Sequence, residues 1–97
     1  MNEDAKHDTR ADRAASDDHV GWIYAARWIV ENGQARHVNR QTGRFEASGR
    51  RGVLLDAFTA SMLCRVYDAL NDSNRRKFVR LPVGRAAAIG WQLVKGG

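Results

Sequence analysis

Residues 53–94 constrain the fold of this chain more than any other stretch. They read VLLDAFTASMLCRVYDALNDSNRRKFVRLPVGRAAAIGWQLV and hold most of the apolar residues that can build a core, together with the one proline. Two stop signals, Asn71-Asp72-Ser73 and Pro82, divide the stretch, which reads as three consecutive helices. In the central one, Phe58, Met62, Val66 and Ala69 recur at helical spacing, and Leu63, Tyr67 and Leu70 form an adjacent stripe. Ser61, Arg65, Asp68 and Asp72 recur on the opposite side, so the pattern is an amphipathic helix with a wide apolar face. Asp56 is placed to cap it, because an aspartate oxygen accepts the orphan N–H groups of a first turn.

The next helix is short. Asn71-Asp72-Ser73 supplies its caps, Phe78 and Leu81 are its expected anchors with Val79 half buried, and Arg75, Arg76, Lys77 and Arg80 form its outer surface. Pro82 stops it and suits the first turn of another helix, where a missing N–H costs nothing. In that last helix Val83, Ala87, Gly90 and Val94 follow helical spacing. The small pair Ala86 and Gly90 admits a close neighbour, for which a tryptophan of the first helix is the candidate. Gly90 costs about 1 kcal/mol relative to alanine in a helix interior, so a packing reason is expected.

Upstream, Asp17-Asp18 precedes HVGWIYAARWIVENG, and Gly33 offers a left-handed stop. These signals favour a helix over about residues 18–32. The same residues Trp22, Ile23, Tyr24, Trp28, Ile29 and Val30 also suit a strand, with residues 31–34 as a hairpin turn. With Arg27 the one charged residue across 20–30, this element is expected to be buried or in an interface. Residues 34–52 read as a basic hairpin or loop, with Val38 and Phe45 inward and Thr42-Gly43 at the turn. The fold class expected is therefore mainly α: a small bundle of about four helices, at about 18–32, 56–70, 73–81 and 82–95, with a short basic hairpin or loop between the first and second. Residues 1–16 lack apolar periodicity and aromatic residues, and read as a disordered acidic leader.

Charge is unevenly placed. Residues 1–19 carry six acids and three bases, which leaves thirteen bases against five acids, or +8, for the rest of a chain whose formal net charge is +5. Such a body suits a polyanionic partner, and equally a solvated surface drawn from an arginine-rich, alanine-rich composition. The Arg-rich loop (Arg36, Arg40, Arg44, Arg50, Arg51) and the short helix (Arg75, Arg76, Lys77, Arg80) are the candidate nucleic-acid-binding residues. The last helix is too apolar for base reading, so a weakly specific, salt-sensitive mode is what these residues would give.

Chemistry-bearing constellations are missing from the sequence. Cys64 is the single cysteine, the three histidines are scattered, and no phosphate-binding glycine loop occurs. No catalytic, cofactor-binding or metal-ligating residue is nominated, and a non-enzymatic, cytoplasmic protein without a membrane span is expected. Three tryptophans, two tyrosines and three phenylalanines in so small a body point instead to a protein partner or a homo-oligomer. Trp22, Trp28 and Trp91 are the candidate partner-binding residues.

The segment DAFTASMLCRVYDALNDSNRRKFVRLPVGRAAAIGWQLV resembles the C-terminal part of small uncharacterised proteins encoded by phages and prophages of GC-rich bacteria. The shared features are T-A-x-x-L-x-x-V-Y-D-A-L-N, then N-R-x-K-F-x-x-L-P, then a terminal helix with a tryptophan. This resemblance implies an accessory, non-structural product that acts by binding a host or phage macromolecule.

Overall fold

A computed structural model describes residues 21–96, and the leader, Asp17, Asp18 and the two N-terminal histidines lie outside the described residues. In chain order the elements are α1 (Ile23–Asn32), β1 (Arg36–Asn39), β2 (Gly52–Leu55), α2 (Ala57–Ala69), α3 (Asp72–Val79) and α4 (Val83–Gly96). The protein is mainly α, with four helices and one small antiparallel ribbon among the described residues.

α2 is the hub. It packs against α1 on one side and α4 on the other, and its end meets α3. Asp56 starts it as the sequence predicts: the carboxylate accepts the Thr59 N–H at 2.7 Å. That bond holds the Asp56 carboxyl below its ordinary value, since accepting an N–H favours the ionised form. Asn71 caps α3 in the same way through the Asn74 N–H at 2.9 Å. The Pro82 carbonyl accepts the first bond of α4, from Ala86 N.

The core joins Trp22, Ile23, Ala26 and Ile29 around α1 to Ala60, Met62, Leu63 and Val66 of α2, closed by Phe78, Val79, Val83 and Ala86. Each large aliphatic group so buried stabilises the fold by about 1.5–3 kcal/mol. Gly90 is explained by packing, although not by a tryptophan. A Cβ there would lie 2.5 Å from Met62 Sδ, so the flexible Met62 side chain fills the space that glycine leaves in the seam between α2 and α4 and would have to move for an alanine. Val79, expected to be half buried, is fully buried.

Two expectations about element boundaries and one about burial are corrected. α1 begins at Ile23 and not near residue 18, because Gly21 adopts φ +70°, outside the right-handed helical region. Residues 52–55, read as loop and helix approach, form β2. It pairs antiparallel with β1, Val38 opposite Val53 and Asn39 opposite Gly52, and the Gly52 Cα lies against the Val38 carbonyl, where a Cβ would be 2.6 Å away. The hairpin itself forms around Val38, which also bridges Phe45 while Glu46 N donates to His37 O and Asn39 N to Arg44 O, each near 2.8 Å (2.9 and 2.7 Å). β1 is thus held along both edges, by the Phe45 return on one and β2 on the other. Finally, Phe58 does not join the buried stripe of α2 and is 75% exposed.

The hairpin turn is fastened to the helices by backbone contact. Asn39 Oδ1 accepts the N–H groups of Gln41 and Thr42, both at 2.9 Å, and Gly43 follows at φ +77°. A Cβ on Gly43 would collide with the backbone of Gly21 and Trp22, and one on Gly21 would collide with the Val79 carbonyl. Val83 N donates to Arg40 O at 3.1 Å. Hairpin tip, entry to α1, end of α3 and start of α4 therefore meet at one junction.

Gly33 provides the internal comparison: it too is left-handed (φ +62°), but a Cβ there would meet nothing within 4 Å. Gly43→Ala should lower unfolding stability by roughly 3 kcal/mol or more, from backbone strain plus overpacking, and Gly33→Ala by only about 1 kcal/mol. Urea denaturation of the two variants measures this, and equal losses would show that the junction is not close-packed.

Candidate functional site

The nine basic residues singled out from the sequence do not form one surface. Arg36 lies on β1 with its guanidinium carbon 3.8 Å from the Phe45 ring centroid and 4.9 Å from that of Trp28. The two rings meet edge to face at 5.5 Å. A planar cation stacked on two rings covers them and is itself held in place, so Arg36 and Trp28 serve the junction of β1 with α1.

Arg75 is committed to structure as well. Its Nε–H donates to Tyr67 O at 2.9 Å and a terminal N–H to Asp68 O at 2.8 Å. Carbonyls in a last helical turn are short of donors, and a cation suits the negative end of the helix dipole, so Arg75 caps α2. Arg75 and Arg27 each place a guanidinium carbon 5.4 Å from the Tyr67 ring centroid, and Arg27 also bonds Asp68 at 2.9 Å. Arg75 therefore leaves the list of candidate nucleic-acid contacts.

The other seven divide into two groups. Arg40 and Arg44 ride on the hairpin tip, which the Val83–Arg40 bond holds beside the turn carrying Arg80, and Arg76 and Lys77 are exposed on α3. Arg50 and Arg51 border an open hollow of about 430 Å³ with Glu46, Ala47 and Ser48. The acid in that lining lowers its appeal to a polyanion.

The tryptophans divide too. Trp22 is 1% exposed, its ring edge-to-face with Phe78 at 5.2 Å, and is a core residue and not a partner contact. The sequence pattern alone could not tell a buried aromatic helix start from an interfacial one. Trp28 is half covered, as described. Trp91 alone of the three joins an open apolar surface: its ring meets that of Phe58 with centroids 5.4 Å apart.

Beside that pair α2 and α4 leave a cleft of two hollows, which share Arg65 and Val94 in their linings. One part, of about 160 Å³, is lined by Phe58, Ser61, Met62, Arg65, Trp91 and Val94. The adjoining part, of about 310 Å³, is lined by Arg65, Val66, Ala69, Leu70, Leu93 and Val94. Leu93 is 51% and Val94 47% exposed. The helical spacing places Phe58 and Val94 on the apolar stripes of α2 and α4, yet both are exposed, whereas Leu70 of the same pattern is partly buried against the core. The available signal was the width of the apolar pattern: the two stripes of α2 together exceed what α1 and one face of α4 can cover.

Cys64 is buried, and loss of solvation pushes its thiol upward, with Arg27 acting in the opposite sense and Asp68 adding to the rise. Among the described residues no group of three or more His, Cys, Asp or Glu side chains could hold a metal ion, and no helix is long and apolar enough to cross a membrane.

Replacing Arg75 by alanine should cost about 2 kcal/mol in unfolding stability, because two charge-assisted bonds to α2 carbonyls are lost. Arg50→Ala should change stability by less than about 0.5 kcal/mol. Thermal denaturation followed by circular dichroism compares them, and a neutral Arg75→Ala would refute the capping role.

Comparison of the chain with family models, with characterised proteins and with solved structures returned no match in any of the three.

Proposed function

We propose that this chain is a small non-enzymatic binding module that acts through protein–protein interaction, with the α2/α4 face as its contact surface. Its setting would be that of a phage or mobile-element accessory protein, as the resemblance of residues 56–94 implies. The observation that carries this reading is the position of Phe58, 75% exposed and packed on Trp91 beside half-exposed Leu93 and Val94. Isolated apolar residues on a surface are ordinary, whereas a contiguous group of large ones lining a cleft marks contact with another molecule. Aromatic residues beside an arginine are also what interface centres favour.

The test is affinity capture and light scattering of the wild type beside Phe58→Ser and Leu93→Ser. Both substitutions should lower the melting temperature by no more than a few degrees, since Phe58 is 75% and Leu93 51% exposed, and both should abolish association. A wild type that stays strictly monomeric and captures no partner removes the basis for the proposal. So does capture that is indifferent to both substitutions.

A second reading, a basic nucleic-acid binder, draws support from one feature: Arg40 and Arg44 on the fastened tip stand beside the turn bearing Arg80, with Arg76 and Lys77 on the adjoining helix. These point charges suit phosphates and give no base specificity. Arg40→Ala with Arg44→Ala should then weaken a DNA mobility shift at low salt several-fold, and the Arg50→Ala, Arg51→Ala pair should add to the loss. No shift of the wild type at low salt disposes of this reading.

A further inference from the structure

We infer that the occupant of the α2/α4 cleft is an acidic amphipathic helix of another protein, held by its apolar side on Phe58, Trp91, Leu93 and Val94 and by a carboxylate on Arg65. The inference rests on the reading of this face as the interaction surface, and adds the chemistry of the partner.

Arg65 and Val94 line both parts of the cleft, so the arginine stands midway along an otherwise apolar groove. Every other polar contact in the lining is the Ser61 hydroxyl, and no acidic residue borders either part. Among the described residues Arg65 has no ion pair or side-chain hydrogen bond, although Arg27 and Arg75 on the neighbouring side of α2 are both engaged by Asp68 or its carbonyl. Four of the five acids of the body are engaged elsewhere: Asp56 caps α2, Asp68 bonds Arg27, Asp72 lies 3.6 Å from Arg75, and Glu46 accepts from Asn39. The fifth, Glu31, lines a separate hollow toward α1, which Arg65 and Asp68 also border. α4 brings Arg85 and Lys95 and no carboxylate at all. A partner that buries the cleft therefore meets one charged side chain in its lining, the guanidinium of Arg65. Covering an unpaired guanidinium with apolar atoms is costly, and a carboxylate placed against it relieves that cost.

The same charges argue against a second copy. Two such faces in contact would set Arg65 against apolar residues or against its own equivalent, on bodies that each carry an excess of eight positive charges. The chain's own leader has the right sign, with six acids in residues 1–19, but Met1 is its only large apolar residue, so it lacks anchors for the groove. Length also fits a helix. From Phe58 to Ala69 α2 rises about 16 Å, which matches roughly three turns of a helix laid alongside, with anchors on successive turns.

The experiment is fluorescence anisotropy of two labelled helical peptides of about 14 residues, carrying identical leucines at helical spacing, with glutamates on the flanks of one and lysines on the flanks of the other. They are titrated with the full chain and with its Arg65→Glu and Phe58→Ala variants, alongside sedimentation of the chain alone. The acidic peptide should bind at least about tenfold more tightly than the lysine peptide, and more weakly as salt is raised. Arg65→Glu should erase or reverse that preference, and Phe58→Ala should weaken the acidic peptide without reversing it. Equal binding of the two peptides, or a preference untouched by Arg65→Glu, overturns the acidic partner while leaving the contact face standing. Concentration-dependent dimerisation abolished by Phe58→Ala overturns it in favour of a second copy. If neither peptide binds and the chain stays monomeric, the contact face itself fails.

Discussion

Gly43, Gly21 and Val79 meet backbone to backbone, and the arrangement of the other elements depends on that contact. A β-hairpin between two helices has no reason of its own to dock at one angle. Here the turn at Gly43 is pressed onto the entry to α1, and that entry onto the end of α3. The Val83 N–H to Arg40 carbonyl bond adds the start of α4. At Gly43 and Gly21 such contact leaves no room for a Cβ, and both also take the left-handed φ that glycine adopts freely. Close-packed interiors transmit rather than absorb displacement. The junction thus ties the end of α3 and the start of α4 to the hairpin and to the entry of α1.

Arginine has two employments in this fold. Arg36, Arg27 and Arg75 lie on aromatic rings or bond carbonyls and carboxylates, so their charge is spent in fastening β1 to α1 and in closing the end of α2. Guanidinium groups suit such work, being planar, always charged and able to donate in several directions at once. Among the described residues the other arginines are exposed and contribute to the positive field around the molecule. A net charge counted from composition overstates what a partner would meet, because part of it is internal bookkeeping between helices.

The apolar surplus of α2 and α4 has a geometric origin. A helix offers about one broad stripe to each neighbour, and α2 has neighbours in α1, α3 and α4. Ala60, Leu63 and Cys64 face the interior, Met62 fills the seam opened by Gly90, and Phe58 is left outside all of them. α4 turns Val83, Ala86 and Gly90 inward, which puts Leu93 and Val94 at the exposed end.

Local signals in the sequence determined much of this protein. Asp56 and Asn71 predict caps that form, Gly33 predicts a left-handed stop that forms, Thr42-Gly43 predicts the turn, and Pro82 predicts the break between α3 and α4. Each depends on neighbours a few residues away, so spacing alone expresses it. Assigning Trp22 to the core, Phe58 to the surface and Arg75 to a helix end was a different matter. A tryptophan, a phenylalanine and an arginine look alike to periodicity whether they face a partner or another helix. β2 was hidden for the same reason, since Val53, Leu54 and Leu55 fit a strand or a helix approach equally until β1 presents an edge. Helix type and limits were local properties of the chain, whereas which face of each helix is covered depends on contacts between residues far apart in sequence, and only the tertiary structure decided it.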